Sequence, residues 1–457
     1  MRISFLIIIA IACFSTVDAS ITLEYAESLA LENNETLQAF KHTTEQGHQD
    51  YLQTHSQWYP SATLSNRYTK TEHPNAYGEN TAHTTGVSLG QEIFNTDLYY
   101  LAKNGGHAYD ILRLDLSSLA NDIIYQVRST YYMIVLLQEQ VHVYEENIKH
   151  LLDAQRQEKH KFELGESTNF DLNQSTVAVA NALTPYYEAT KELKVAKNTL
   201  SRLLVTEDTV ITETTIPILQ VREIAEKLTI LQLLTENEQG ASFIDRFILH
   251  NLGDIDQEVN LPLFTDDEIL QWESIATTQK PSIKKEKLSL EIAYSTTKQH
   301  QCKYLPNLKA FGNYTHSSAT TGYGVSSYWD AGVLLSWQLF DGFGRERSIK
   351  GASEGEHAAR IKYEKTIEEA KIDVRNSFHK IESALLSYSA ADKSVGLAEQ
   401  AMEQAKERIE VGEITPMEYR DTAKSLTEAR YNKNKANYDL LISYYSLRHT
   451  TGIDTRE

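Results

Sequence analysis

Hydrophobic residues in this chain recur with two different periods, one typical of helices and one typical of strands. Residues 22–56 carry apolar side chains at helical spacing, and the same spacing runs with almost no glycine or proline through 96–164 and 344–411. Shorter helical stretches follow at 167–204 and 415–450. At about 1.5 Å per residue, the two longest stretches would form helices roughly 100 Å long, which favours a coiled coil or helical array.

Four segments show the period of two that is expected of strands with one apolar face. They span 59–72, 83–94, 304–316 and 327–340. The alternation is clearest in the last segment, whose apolar face consists of Val333, Leu335, Trp337 and Leu339. Each segment is long enough to cross a bilayer at a tilt, although the same pattern also fits a β-sandwich in a soluble protein.

The whole order of elements occurs twice, as helix, two strands, long helix and helix. Pro60 precedes Phe94 by 34 residues, and Pro306 precedes Phe340 by the same 34. A fixed long-period repeat of this kind indicates a duplicated architecture. We therefore predict a first repeat over 20–205, a second repeat over 276–453, an acidic middle segment over 206–275 and a short tail at 454–457.

Composition narrows the class of partner. The net charge is −19, and the middle segment holds 15 acidic residues against three basic ones. No basic stripe is present that could meet phosphates, so we expect no nucleic-acid partner. The low counts of glycine (20) and proline (8) suit long helices better than a turn-rich β protein.

The first residues resemble an export signal. Arg2 is followed by an apolar stretch, and Ala19 offers a small-residue cleavage site, so we predict a signal peptide over 1–19. Lipidation at Cys13 is the alternative that stays open. Because Cys302 is the one other cysteine, we expect no disulfide within the mature chain and no cysteine-based metal site.

No other stretch has the roughly 18 apolar residues of a transmembrane helix, so a membrane form must cross as β-strands. Four strands cannot close a barrel, because the smallest closed membrane barrels use about eight. Several copies must therefore pool their strands, and a trimer supplies twelve. The predicted fold is mainly α with a small β part: duplicated long helical hairpins in a trimeric α-barrel, and four transmembrane strands per chain in a shared 12-stranded β-barrel.

Three duplicated motifs together resemble the TolC family of outer-membrane efflux channels. They are Xaa-Pro-Xaa-Leu opening a strand, Gln-Xaa-Leu/Ile-Phe-Asp/Asn closing a strand pair, and a Gly-Glu turn between helices. The resemblance covers about 22–205 and 275–453. It implies a homotrimer in outer-membrane lipid, with a large periplasmic extension. It further implies a periplasmic adaptor protein, an inner-membrane transporter, and efflux or type I secretion of small molecules or proteins.

The resemblance also assigns roles at the two helical turns. Channels of this family narrow beside these turns at acidic side chains, which implies a constriction made by Glu418, Asp421 and Asp171. Rings of carboxylates attract cations, and their crowding is expected to raise some of their pKa values. The basic residue that can hold the closed state has no match at Ile414, which leaves Arg408 or Arg420. The implied adaptor-docking tips are Gly165, Glu166, Ser167, Thr168, Gly412, Glu413, Ile414 and Thr415.

Other classes of function are weaker. A coiled-coil scaffold or adhesin without a pore would use the same helices, but it has no reason to carry a strand pair beside each long helix. An enzyme is not expected, because no His-Glu-Xaa-Xaa-His motif, phosphate loop or nucleophile elbow occurs. The 15 histidines lack ligand spacing, so we expect neither a metal nor a cofactor. The cargo and the identity of the pump stay open.

Overall fold

The structure is a computed structural model that describes residues 21–70, 81–206, 264–319 and 326–453. The described helices, in chain order, are α1 (Leu23–Asn33), α2 (Glu35–Ser56), α3 (Thr96–Glu163), α4 (Asn169–Leu204), α5 (Asp266–Gln279), α6 (Pro281–Cys302), α7 (Gly344–Glu410) and α8 (Pro416–Thr451). The strands are β1 (Ser61–Lys70), β2 (Thr81–Phe94), β3 (Asn307–Ala319) and β4 (Ser326–Ser336).

These elements confirm the predicted fold class and most of the predicted helix boundaries, with two corrections. The strand predicted over 327–340 ends at Ser336, so Trp337 and Leu339 lie beyond it, and Trp337 Nε1 donates to Tyr304 O at 3.0 Å. The helix expected over 22–56 is two helices, because Asn34 leaves the helical conformation at φ −59° and ψ 118°. Asn34 Nδ2 donates to the carbonyl oxygen of Leu203 at 3.4 Å, so a tertiary contact holds the break. The signal peptide, Cys13 and most of the acidic middle segment lie outside the described residues.

The four strands form one antiparallel sheet in the order β1-β2-β3-β4. The pairing of β2 with β3 joins the two repeats, with Val87 opposite Tyr314. Among the residues that the structure describes, β1 pairs only with β2, and β4 pairs only with β3. Within this described part, both outer strands of the sheet therefore keep one unpaired edge.

The register gives the sheet two chemically different faces. Residues directly opposite in an antiparallel pair lie on the same face. Leu64, Val87, Tyr314 and Trp329 therefore form a single row across one face of the sheet. Trp329 is 76% exposed and Leu64 is 72% exposed. An apolar face this open needs an apolar environment. The other face carries many hydroxyl side chains, including Ser61, Thr63, Ser65, Thr69, Thr84, Ser88, Thr315 and Ser317.

The chain divides into two compact units, and several helices contribute to both. The tip unit comprises 1–35, 122–269 and 375–449, and it contains both helix–helix turns. In this unit α1 packs against α4. Its core is leucine-rich and fully buried at Leu200, Leu204, Leu440 and Leu441.

The strand unit comprises 36–121, 270–374 and 450–457, and it contains the sheet. Two ion pairs hold the start of α6 in this unit. Lys285 of α6 binds Asp115 on α3 at 2.8 Å, and Lys280, the residue before α6, binds Asp373 on α7 at 3.1 Å. These side chains line a cavity of about 350 Å³. None of the described helices combines the length and the apolar character needed to cross a membrane.

Candidate functional site: the two helical turns of the tip unit

The first turn, between α3 and α4, ends α3 with a glycine in the left-handed region. Gly165 has a φ of +77° and donates its N–H to Phe162 O at 3.0 Å. The N–H of Glu166 reaches back to Lys161 O at 2.8 Å. This bond pair is the Schellman motif, which satisfies carbonyl groups that a helix end would otherwise leave unpaired.

The second turn, between α7 and α8, repeats this geometry. Gly412 has a φ of +76° and donates to Ile409 O at 3.3 Å, while Glu413 donates to Arg408 O at 2.9 Å. An added Cβ at Gly412 would meet nothing within 4 Å. The glycine is therefore required by its backbone conformation and not by lack of space.

Each turn is followed by a capping box, in which an N-cap threonine and an acid three residues later exchange hydrogen bonds. At the first turn Thr168 Oγ1 accepts from the N–H of Asp171 at 3.3 Å, and Asp171 Oδ2 accepts from the N–H of Thr168 at 3.4 Å. At the second turn Glu418 Oε2 accepts from Thr415 N at 2.8 Å, and Thr415 Oγ1 accepts from Glu418 N at 3.3 Å. Two of the three expected constriction acids are thus also helix caps.

Capping changes the electrostatics expected of Glu418. The backbone N–H of Thr415, followed by its hydroxyl, lowers the pKa of the Glu418 carboxyl below its ordinary value. The raised pKa that the sequence predicts would come from crowding of carboxylates between copies, which requires an assembly. Its effect on the pKa of Glu418 would oppose that of the hydrogen bonds from Thr415. Asp421 lies one turn further along α8 with an exposed side chain, so both acids lie on one side of the helix.

The two turns differ at the position after the Gly-Glu pair. Ser167 donates its hydroxyl to Glu158, a buried carboxylate on α3. The corresponding positions in the second repeat hold Ile414 and Ala405, which cannot form this bond. The first turn therefore has a polar tie to its helix that the second turn lacks.

One side chain links the two helices that leave the turns. Arg420 on α8 donates through Nη1 to the backbone carbonyl of Gln174 on α4 at 3.3 Å. Of the two arginines that the sequence leaves as candidates near the second turn, Arg420 has this contact. Beside it, burial raises the pKa of the Tyr419 phenol, with a smaller contribution from the charge of Asp153.

Ion pairs further along α8 connect it to both long helices. Arg430 binds Glu146 on α3 at 2.8 Å and Glu399 on α7 at 3.0 Å. Lys433 binds Asp392 on α7 at 2.6 Å, and hydrogen bonding to this carboxylate helps to raise the pKa of the lysine against the opposing effect of its partial burial. These contacts fix α8 in the tip unit.

Exposed apolar side chains surround both turns, including two that the sequence patterns above do not single out. Phe170 is 73% exposed in the first turn of α4, and Met417 occupies the matching place in α8. Leu164 and Val411, just before the glycines, are also exposed. The signal available in the sequence was the paired apolar residue two positions after each capping threonine.

The described residues contain no group of three or more His, Cys, Asp or Glu side chains that could hold a metal ion. What the turns offer is a pair of rigid, hydrogen-bonded loops that present apolar and acidic side chains. Such a surface is suited to contact with another protein and to interaction with ions, and it holds no nucleophile paired with a base.

Comparisons with known proteins place these features. A family model described as outer membrane efflux protein matches residues 27–205 and 272–453. The chain is 20% identical over 377 residues to the outer membrane efflux protein BepC of Brucella suis, covering 81% of this chain and 72% of BepC. Its fold is similar to that of the outer membrane channel CmeC of Campylobacter jejuni, with a TM-score of 0.70, 19% identity, and coverage of 94% and 85% of the two chains. It is also similar to the open-state MtrE channel of Neisseria gonorrhoeae, with a TM-score of 0.70, 15% identity, and coverage of 95% and 91%.

Proposed function

Because the chain belongs to the outer membrane efflux protein family and is an outer-membrane exit duct for tripartite efflux, we propose that three identical copies form its pore and that the turns of α3–α4 and α7–α8 form its gated end. The family works with a periplasmic adaptor and an inner-membrane pump. Drugs, metals and secreted proteins are all candidate cargoes, and type I secretion is a further route that the same duct would serve.

The unpaired edges of the sheet support assembly through the strands. In the described part of the chain, β1 and β4 each have one edge whose N–H and C=O groups no other strand pairs with. In hydrocarbon every such group costs several kcal/mol, so open edges do not persist there. Pairing β1 of one copy with β4 of the next satisfies all of them, and three copies supply twelve strands.

The observation that carries the acidic constriction is the geometry of the second turn. The capping box fixes Glu418 in the first turn of α8, and Asp421 follows on the same side with its carboxylate exposed. Three copies would bring six carboxylates towards one axis. Asp171, fixed by the matching box at the start of α4, contributes a further acid from each copy.

Conductance across planar bilayers tests this constriction, provided that charge is separated from capping. Glu418→Gln removes the charge but keeps a side chain that can complete a capping box, whereas Glu418→Ala removes both. We expect Glu418→Gln with Asp421→Asn to lower cation selectivity and block by divalent cations. The matched control is Glu428→Gln, which removes an acid whose side chain is 64% exposed further along the same helix.

The result that would sink the constriction is unchanged selectivity in the Glu418→Gln/Asp421→Asn variant, or an equal change in Glu428→Gln. Absence of any conductance in the wild-type protein would instead count against the pore itself. The two failures are therefore distinguishable.

Adaptor docking is proposed for the eight residues that surround the two turns. The exposed side chains of Phe170 and Met417 add apolar area that a partner protein can bury. The docking residues are Gly165, Glu166, Ser167, Thr168, Gly412, Glu413, Ile414 and Thr415. A photo-crosslinking residue at Glu166 or Glu413 should capture a periplasmic protein, whereas one at Lys149, on α3 before the turn, should capture less of it.

A further inference from the structure

On the apolar face of the sheet, a row that contains the aromatic residues Tyr314 and Trp329 is followed by a polar row. The row of Leu64, Val87, Tyr314 and Trp329, and the adjacent row nearer the helices, contain only apolar, aromatic or small residues. The next row along the strands carries Asn66, Thr85, His316 and Ser327. Aromatic residues mark the membrane–water boundary of outer-membrane strands, so the change in polarity places this boundary at Tyr314 and Trp329.

The polar rows lie at the end of the strands away from the helices. α2 leads into β1 at Ser61, and β2 leads into α3 after Phe94, whereas Lys70 and Thr81 lie at the opposite end. The channel has a periplasmic tunnel, which its helices form. The polar rows of this face therefore lie at the level of the outer-leaflet headgroups.

Basic side chains cross these rows in a diagonal line, one on each of three strands. Lys70 on β1 pairs with Thr81 on β2, and His83 lies two residues further along β2. Thr85, two residues beyond His83, pairs with His316 on β3. Diagonal neighbours of this kind have Cα atoms about 7–8 Å apart. The three side chains therefore form one continuous basic strip.

Local contacts orient the two histidines of the strip. The ring of His83 lies 4.7 Å from the ring of Tyr68, measured between centroids. His316 Nδ1 is 2.8 Å from Ser327 Oγ. These contacts limit the motion of each ring and hold it on the membrane-facing side of the strand.

The same face carries no carboxylate among the strand residues that the structure describes, although the whole chain has a net charge of −19. The acids of the strands, Glu92 and Asp330, lie on the hydroxyl-rich face, where Lys309 and Asn313 contact them. The carboxylates of the described strands are thus confined to the hydroxyl-rich face. On the membrane side, the described strand residues beyond the aromatic residues combine Lys70, His83 and His316 with neutral polar side chains and no acid.

We propose that Lys70, His83 and His316 bind the phosphate groups of the anionic glycolipid in the outer leaflet. The occupant is a lipid because the strip continues directly from the apolar face, so a molecule with acyl chains contacts both surfaces at once.

The test uses the purified trimer in a non-ionic detergent, titrated with diphosphoryl lipid A and followed by native mass spectrometry. One surface cation contributes about fivefold in affinity for an anionic lipid surface. Lys70→Gln should weaken binding about fivefold at about pH 8. His83→Gln with His316→Gln should also weaken binding at that pH, because both side chains lie on the same face as Lys70.

Arg67→Gln is the matched control, because Arg67 is a cation on the same strand, one residue from Tyr68, but on the opposite face. It should bind lipid A like the wild type. Equal weakening in Arg67→Gln, equal binding of dephosphorylated lipid A, or displacement by inorganic phosphate at the same phosphate concentration would each overturn the proposal. Heat-modifiable migration on gels confirms that each variant is a folded trimer. If the double histidine variant does not fold, Lys70→Gln and its Arg67→Gln control carry the test.

Discussion

Replacing Arg128 with alanine should release α1 from the tip unit. Arg128 on α3 binds Glu27 on α1 through two hydrogen bonds, Nε–Oε1 at 2.6 Å and Nη2–Oε2 at 3.4 Å. The side chains are only 14% and 10% exposed. The guanidinium also lies 4.9 Å from the centre of the Tyr445 ring, so truncation removes a hydrogen-bond partner and a cation–π contact.

The expected cost is large because truncation leaves a buried carboxylate without its cation. Breaking such a pair costs about 3–5 kcal/mol. At about 1.4 kcal/mol per factor of ten, local opening of α1 should become at least about a hundredfold more frequent. The paired variant Glu27→Gln/Arg128→Met should recover most of this loss, because a buried ion pair replaced on both sides by less polar groups is often neutral.

Hydrogen exchange read by mass spectrometry measures the effect directly. The peptide covering Leu23–Asn33 should exchange faster in Arg128→Ala, while a peptide from Pro281–Cys302, in the strand unit, should be unchanged. Wild-type exchange of α1 in Arg128→Ala would refute the reasoning. A paired variant as labile as Arg128→Ala would show that the loss lies in packing and not in an unpaired charge.

Three further outcomes are expected. Gly412→Ala should destabilise its turn by about 1 kcal/mol, because the φ of +76° is strained for alanine, and hydrogen exchange there should become faster. Gly355→Ala, within the helix α7, should instead stabilise that helix. Tyr438→Phe should reduce the loss of stability in alkali, measured by denaturation at a series of pH values. Burial raises the pKa of Tyr438 to about 12. The stability that depends on its proton is therefore complete below the ordinary pKa of 10.0 and is lost as the pH rises through about 12. Lys285→Met should change thermal stability by less than about 1 kcal/mol, because its pair with Asp115 is 38% and 30% exposed.

Much of the fold follows from local sequence rules. The helix predicted over 96–164 is Thr96–Glu163, and the one predicted over 415–450 is Pro416–Thr451. These ends are readable because a glycine stops each long helix and a threonine starts the next. The predicted strand ends were less accurate, because alternation marks the face of a strand and not where it begins or ends. The strand predicted over 304–316 is Asn307–Ala319 in the structure.

The candidate site was predictable only in part. The two turns were located by matching the repeats, because the Gly-Glu pair recurs, whereas their acids were implied by the family resemblance. The cross-links between helices were not, since Arg420 and Gln174 lie 246 residues apart in the chain. The break at Asn34 also depends on a distant residue, Leu203, and no local pattern marks it.

The sequence by itself determined the periods of the elements, their duplication and the caps that end each helix, because these depend on residues within one or two turns of each other. Only the tertiary structure decided that β2 pairs with β3, and with which register. That register matters to the proposed lipid contact, because a slip of one residue between β2 and β3 would put His316 on the opposite face from Lys70 and His83. Pairing between distant strands is fixed by the packing of the whole sheet, which no local stretch of sequence contains.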